Sequence, residues 1–143
     1  MASAADIHRE FADAFNRRDW DTVRSLHHPQ YSYTAGDGKE VTGGPDVGVG
    51  VAQMYASAFP DARLEVKRVY VQGDTAIAEV SYSGTHKGEL MGIAPTGKRV
   101  QGPICNVIEV RDGKIYRERE YFDMMHMMVQ LGVVQAPAGA PAG

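Results

Sequence analysis

The chain of 143 residues has a single cysteine, Cys105, which rules out a disulfide framework and any metal cluster built on cysteines. It has no surplus of positive charge: 15 Lys and Arg against 18 Asp and Glu give a formal charge of -3, and the basic residues are scattered along the sequence. That distribution gives a phosphate backbone nothing to hold, so no nucleic-acid partner is expected. No apolar run approaches the roughly 20 residues needed to cross a bilayer. The N-terminus lacks a basic segment followed by an apolar one. No membrane association is expected, and a cytoplasmic address follows.

What is present is an ordinary globular composition, 43% hydrophobic and 23% charged, of a length that fits one domain. That domain is expected over 1–134, followed by a disordered Ala/Pro/Gly tail over 135–143. From Ala4 to Arg18, Ile7, Phe11, Ala14 and Phe15 recur at helical spacing. A shorter helix follows, capped by Asp19 and stopped by Pro29. Tyr31 and Tyr33 then share one side of a short extended segment. Pro45 suits the first position of a third helix that reaches Phe59. Within it, Gly48 and Gly50 follow no strand, so they form no dinucleotide loop and are read as room for a close neighbour.

From Ala62 the period changes to two, with strands near Leu64 to Val71, Ala76 to Lys87, Arg99 to Arg111 and Lys114 to Phe122. Gln72-Gly73-Asp74 and Arg111-Asp112-Gly113 make consecutive pairs antiparallel hairpins. Helices first and a strand meander after them define an α+β fold, with N-terminal helices packed on a strongly curved, mostly antiparallel sheet.

Alternation places Ala76, Ala78, Val80, Tyr82, Gly84 and His86 on an inner face, with Ile104, Asn106, Ile108 and Val110 beside them. In the last strand Tyr116, Glu118 and Glu120 share a side, and the Asp112-Gly113 turn puts that side on the same inner face. Glu120, Asn106, His86 and Tyr82 are thereby expected around one concavity. The pattern also fits a wet sheet on which Glu118 and Glu120 pair with cross-strand cations, each pair contributing less than about 1 kcal/mol. His86, His27 and His28 have no partner at metal-ligand spacing and, on the pattern alone, read as structural residues. No metal site is expected. Met124, Met127, Met128 and Leu131 form a helical stripe that suits core packing or an adaptable apolar pocket wall.

In the order and spacing of its motifs the chain resembles the SnoaL-like polyketide cyclases of the nuclear transport factor 2-like superfamily. The motifs are Phe15-Asn16, His28-Pro29-Gln30-Tyr31, Gly43-Gly44-Pro45, Phe59-Pro60-Asp61-Ala62 and Gly84-Thr85-His86-Lys87-Gly88. Gly92-Ile93-Ala94-Pro95-Thr96-Gly97-Lys98, Asp112-Gly113-Lys114-Ile115 and Gln130-Leu131-Gly132 complete them. The resemblance implies a cone-shaped α+β barrel, a deep apolar pocket and a homodimer formed through the sheet. It also implies a pocket Asp as general acid/base and an assisting His on the neighbouring strand. Counted from the Asp112-Gly113-Lys114-Ile115 turn, those positions hold Glu120 and Asn106.

The activity implied is cofactor-independent acid/base chemistry on an apolar carbonyl substrate, either aldol ring closure or enolisation, with Glu120 as base. Asn106 and His86 are its expected catalytic partners. Tyr33, Met54, Tyr82, Met91, Tyr116, Glu118, Phe122 and Asp123 are the expected substrate contacts. An epoxide hydrolase using Glu120 with Asp123, a ketosteroid-isomerase-like enzyme, and a non-catalytic small-molecule carrier are the other readings.

Overall fold

The structure, a computed structural model, describes residues 2–139. Helix α1 (Ala4–Arg17) begins at a capping box in which the Asp6 amide donates to Ser3 Oγ (3.1 Å) and the Ser3 amide donates to the Asp6 carboxylate (3.3 Å). Helix α2 (Trp20–Ser25) is capped by Asp19, which accepts the Thr22 amide. Strand β1 (His27–Thr34), short strand β2 (Glu40–Thr42) and helix α3 (Pro45–Ala58) follow. Strands β3 (Arg63–Gln72), β4 (Thr75–Thr85), β5 (Arg99–Arg111) and β6 (Lys114–Phe122) lead to helix α4 (Met124–Leu131). No helix among the described residues is long and apolar enough to cross a membrane.

The sheet order is β2-β1-β6-β5-β4-β3, antiparallel throughout except where β1 runs parallel to β6. With β2 and β3 as free edges the curved sheet is unclosed, so the architecture is an open half-cone and not a barrel. The β3–β4 and β5–β6 turns have the expected two-residue form, and Asp112 (φ 54) and Gly113 (φ 72) both occupy the left-handed region such a turn requires. The two tyrosines at the end of the expected extended segment belong to β1. Sequence alternation could not reveal its parallel pairing with β6, because that partner lies at the other end of the chain.

Three apolar clusters fill the concave side. Ile7 of α1, Tyr31, Ile108 and Ile115 form one. Phe59, Leu90, Val100, Met127 and Leu131 form a second under α4, and Phe15, Val23, Val49 and Ala52 join α1, α2 and α3 in a third. Gly48 has the close neighbour its position suggested, because a Cβ there would lie 2.5 Å from the His27 ring. Gly50 has open space around it. The regular elements end at Leu131, and residues 135–139 are exposed without helix or strand. The rest of the expected disordered tail, 140–143, lies outside the described residues.

Candidate active site

Between the inner face of the sheet, α1, α3 and α4 lies a partly enclosed cavity of about 90 Å³ that opens to solvent. Phe11, Phe15, Phe59, Leu64, Phe122 and Met127 give it apolar walls. Its polar groups are Tyr31, Tyr55, Tyr82, Glu118 and Glu120, with Ser83 and the exposed Arg63 paired across β3 and β4. Alternation along β6 is what brings Glu118, Glu120 and Phe122 to this wall together.

The two carboxylates are held differently. Glu118, 7% exposed, accepts the Tyr31 hydroxyl on Oε1 (2.5 Å) and the Asn106 amide nitrogen on Oε2 (2.7 Å). A carboxylate can only accept, so the Asn106 nitrogen must face it and the Asn106 oxygen must face His8 Nε2, 2.9 Å away. His8 Nε2 therefore carries the proton and donates, and the bare Nδ1 is buried without a partner. Burial holds the His8 imidazole below its ordinary pKa, with the Asn106 hydrogen bond and the Glu118 charge opposing in part. The result is a fixed chain in which His8 donates to Asn106, and Asn106 and Tyr31 donate to the two oxygens of Glu118.

Glu120 accepts one longer hydrogen bond, from the Tyr33 hydroxyl on Oε1 at 3.2 Å. Among the described residues Oε2 has no protein donor, and the side chain lines the cavity, so the free oxygen is presented to whatever the cavity holds. Burial raises the Glu120 pKa to about 7, helped by the neighbouring Glu118 charge and opposed by the Tyr33 hydrogen bond. Burial likewise lifts the Tyr31, Tyr33 and Tyr55 hydroxyls well above the usual phenol value, keeping them neutral donors. One ordered anion beside a carboxyl poised near neutrality is an arrangement suited to general-base chemistry.

The model of the SnoaL-like polyketide cyclases matches residues 5–131. The chain belongs to that family. It is 30% identical to aklanonic acid methyl ester cyclase AcmA of Streptomyces galilaeus over 125 residues, 87% of each chain. To nogalonic acid methyl ester cyclase of Streptomyces nogalater it is 31% identical over 120 residues, 83% of this chain and 90% of that one. Among solved structures, IdmH of Streptomyces antibioticus, suggested to be a polyketide cyclase, superposes with a TM-score of 0.79 at 28% identity, covering 92% of this chain and 99% of IdmH.

Within this SnoaL-like frame the expected site residues separate into three groups. Glu120, Glu118, Tyr82 and Phe122 line the cavity, and Tyr33 reaches it through Glu120. Asn106 faces inward as expected, but it bridges His8 and Glu118 and is not among the cavity-lining residues, so it orders the carboxylate and does not reach the hollow. His86 and the remaining substrate contacts lie elsewhere.

His86 is fully buried beneath Phe59 (ring centroids 5.5 Å apart), where its Nδ1 meets the Thr96 amide and hydroxyl at 3.1 Å. It belongs to a structural clasp. Asp61 binds the Thr85 amide and hydroxyl, and Lys87 and Gly88 donate to the Ala58 carbonyl at the end of α3. A Cβ at Gly88 would lie 2.2 Å from the Ser57 carbonyl oxygen. The Gly84-Thr85-His86-Lys87-Gly88 motif thus fixes α3 against the sheet.

Tyr116 is turned away by a β-bulge, since β5–β6 pairing shifts between Glu109 opposite Arg117 and Val110 opposite Ile115. It lies instead under the Arg111 guanidinium, 3.9 Å from the ring centroid. Met54 is 38% exposed on the outer side of α3, and Met91, 57% exposed, occupies a loop with φ 48. Asp123 is the N-cap of α4 and accepts the His126 amide at 2.9 Å. Sequence reasoning missed His8, Tyr31 as a carboxylate partner, and Tyr55. His8 was findable, because it stands three residues before Phe11 and four before Ala12 on the buried stripe of α1.

Proposed function

We propose that this chain is a cofactor-independent polyketide cyclase in which Glu120 is the general base. Glu120 takes a proton from an acidic C–H beside a carbonyl of an apolar polycyclic substrate. The C–H electron pair becomes an enolate, the enolate carbon attacks a second carbonyl of the same molecule to form the ring C–C bond, and the new alkoxide recovers the proton from Glu120. The step is an isomerisation, so atoms and charge balance without a co-reactant. The observation that carries this reading is the free Oε2 of Glu120 in an apolar cavity with the carboxyl titrating near neutrality. The cavity contributes orientation and a dry setting.

The names of the curated relatives suggest the test substrate, aklanonic acid methyl ester. Glu120→Gln keeps the shape and removes the base. Its turnover should fall by at least about 100-fold, and parental turnover would refute the proposal.

Asp123 does not line the cavity, so an epoxide hydrolase pairing it with Glu120 lacks its second carboxylate. Two carboxylates on the wall also speak against a purely apolar carrier. A homodimer through the sheet belongs to the same reading, supported by exposed Ile77 and Tyr121 on strands β4 and β6. Sedimentation at micromolar concentration should give twice the chain mass, and a monomer there would remove the dimer.

A further inference from the structure

Abstraction by Glu120 places negative charge on a substrate oxygen in a cavity that already holds the Glu118 charge. That oxygen needs a donor near Glu120. The residues expected to supply it are engaged or remote. The Asn106 amide is spent on Glu118 and His8, and His86 lies in the clasp. The Tyr31 and Tyr33 hydroxyls are given to Glu118 and Glu120. The Tyr82 hydroxyl lies over Gly102, where a Cβ would be 2.9 Å from it. Gly102 is four residues along β5 from Asn106, the residue opposite Glu120. At the rise of a strand that backbone offset is about 13 Å, and the groups that bear on the Tyr82 hydroxyl are Gln130 and Asp123, not Glu120.

Tyr55 meets the requirement. Gly48, Val51, Ala52 and Tyr55 form the stripe of α3 that faces the cavity, and the clasp holds the end of that helix three residues beyond Tyr55 through the Ala58 carbonyl. Among the described residues the Tyr55 hydroxyl has no protein partner, and it is not among the buried polar atoms sealed from solvent, so it opens to the cavity. After burial, the largest influence on its ionisation is the charge of Glu120, ahead of Tyr82, as expected of a hydroxyl sharing the same end of the hollow.

We propose that Tyr55 is a catalytic residue whose hydroxyl donates a hydrogen bond to the enolate oxygen formed as Glu120 takes the proton. This rests on the Glu120 reading and adds an orientation: the substrate turns its acidic C–H to β6 and the adjacent carbonyl oxygen to α3. The reaction then proceeds between two fixed elements, one supplying the base and the other the donor.

The test uses Tyr55→Phe, which keeps the ring, with Tyr70→Phe, an exposed tyrosine of β3 away from the cavity, as a control. Two probes are titrated at a pH of about 6, where Glu120 is largely protonated as it is after abstraction: 4-nitrophenol, whose bound anion is read by absorbance, and 4-nitroanisole, which cannot ionise. Tyr55→Phe should weaken 4-nitrophenolate binding about 10- to 100-fold and leave 4-nitroanisole within about 2-fold. It should also lower kcat on aklanonic acid methyl ester by about 10- to 1000-fold with little change in KM, the range seen on removing one oxyanion donor or less. Tyr70→Phe should change neither probe.

Unchanged 4-nitrophenolate binding, or equal loss of both probes, overturns the assignment. Parental turnover by Tyr55→Phe with Glu120→Gln inactive removes Tyr55 alone. Parental turnover by Glu120→Gln removes the base and Tyr55's catalytic role with it.

Discussion

Glu118 and Glu120 stand two residues apart on one strand face, and the difference between them is hydrogen bonding. Glu118 is tied at both oxygens, whereas Glu120 has one weak donor and a free oxygen. Because the base form is the deprotonated one, kcat/KM of the parent should rise with pH through a midpoint near 7. Glu118→Gln removes the neighbouring charge that helps raise Glu120, so the midpoint should move to lower pH. A pH-rate profile with an unshifted midpoint would show that the Glu118 charge does not act on the base. The sequence exposed Glu120, since a carboxylate on an inner-face position is legible from period two alone. It did not expose Glu118 as the anchored member. Its partners Tyr31 and His8 come from β1 and α1, and only the parallel β1–β6 pairing and the helix packing bring them together. Asn106 was correctly placed on the inner face, but alternation cannot say which neighbour consumes an amide.

The helices and the four long strands were legible because their periodicities run over many residues, and Asp19, Pro45 and Asp123 mark helix starts by chemistry that needs no tertiary context. What failed at this scale was register. One extra residue in β6 reverses Tyr116 relative to Glu118, and a bulge leaves no trace in the alternation of a strand with polar groups on both sides. The glycines of α3 show the same limit. Both look like helix weaknesses in sequence, yet Gly48 faces the His27 ring and Gly50 faces open space. Gly48→Ala should therefore destabilise by about 1 to 3 kcal/mol through overpacking. Gly50→Ala should stabilise by about 0.5 to 1 kcal/mol through helix propensity. Urea unfolding of the two variants checks both, and equal effects would show that the packing around His27 is looser than the structure implies.

At the scale of the whole molecule, an open sheet with helices on its concave side leaves a hollow that holds a carboxyl away from water, and that has a cost in stability. The Glu120 pKa is raised on folding from 4.5 to about 7, so the folded state binds more protons than the unfolded one between those values. The Glu120 contribution to parent stability should fall as pH rises from about 4.5 to about 7 and level off above, against the opposite contribution of the buried His8 and His27, whose pKa values burial lowers. Glu120→Gln has no group to titrate there and should lack that decline. Above neutrality it should be the more stable protein, by on the order of 1 to 3 kcal/mol, while being the less active one. Chemical unfolding of both proteins across that range measures the difference, and parallel stability curves would contradict a buried, titrating Glu120.

The central claim is that Glu120 is a shielded carboxyl poised to exchange a proton near neutral pH, and its side-chain carboxyl carbon reports this directly. Carbon-13 NMR of glutamate-labelled protein, with the resonance assigned by its loss in Glu120→Gln, should show titration with a midpoint near 7. A midpoint at the ordinary glutamate value of about 4.3 would place Glu120 in water and contradict the account.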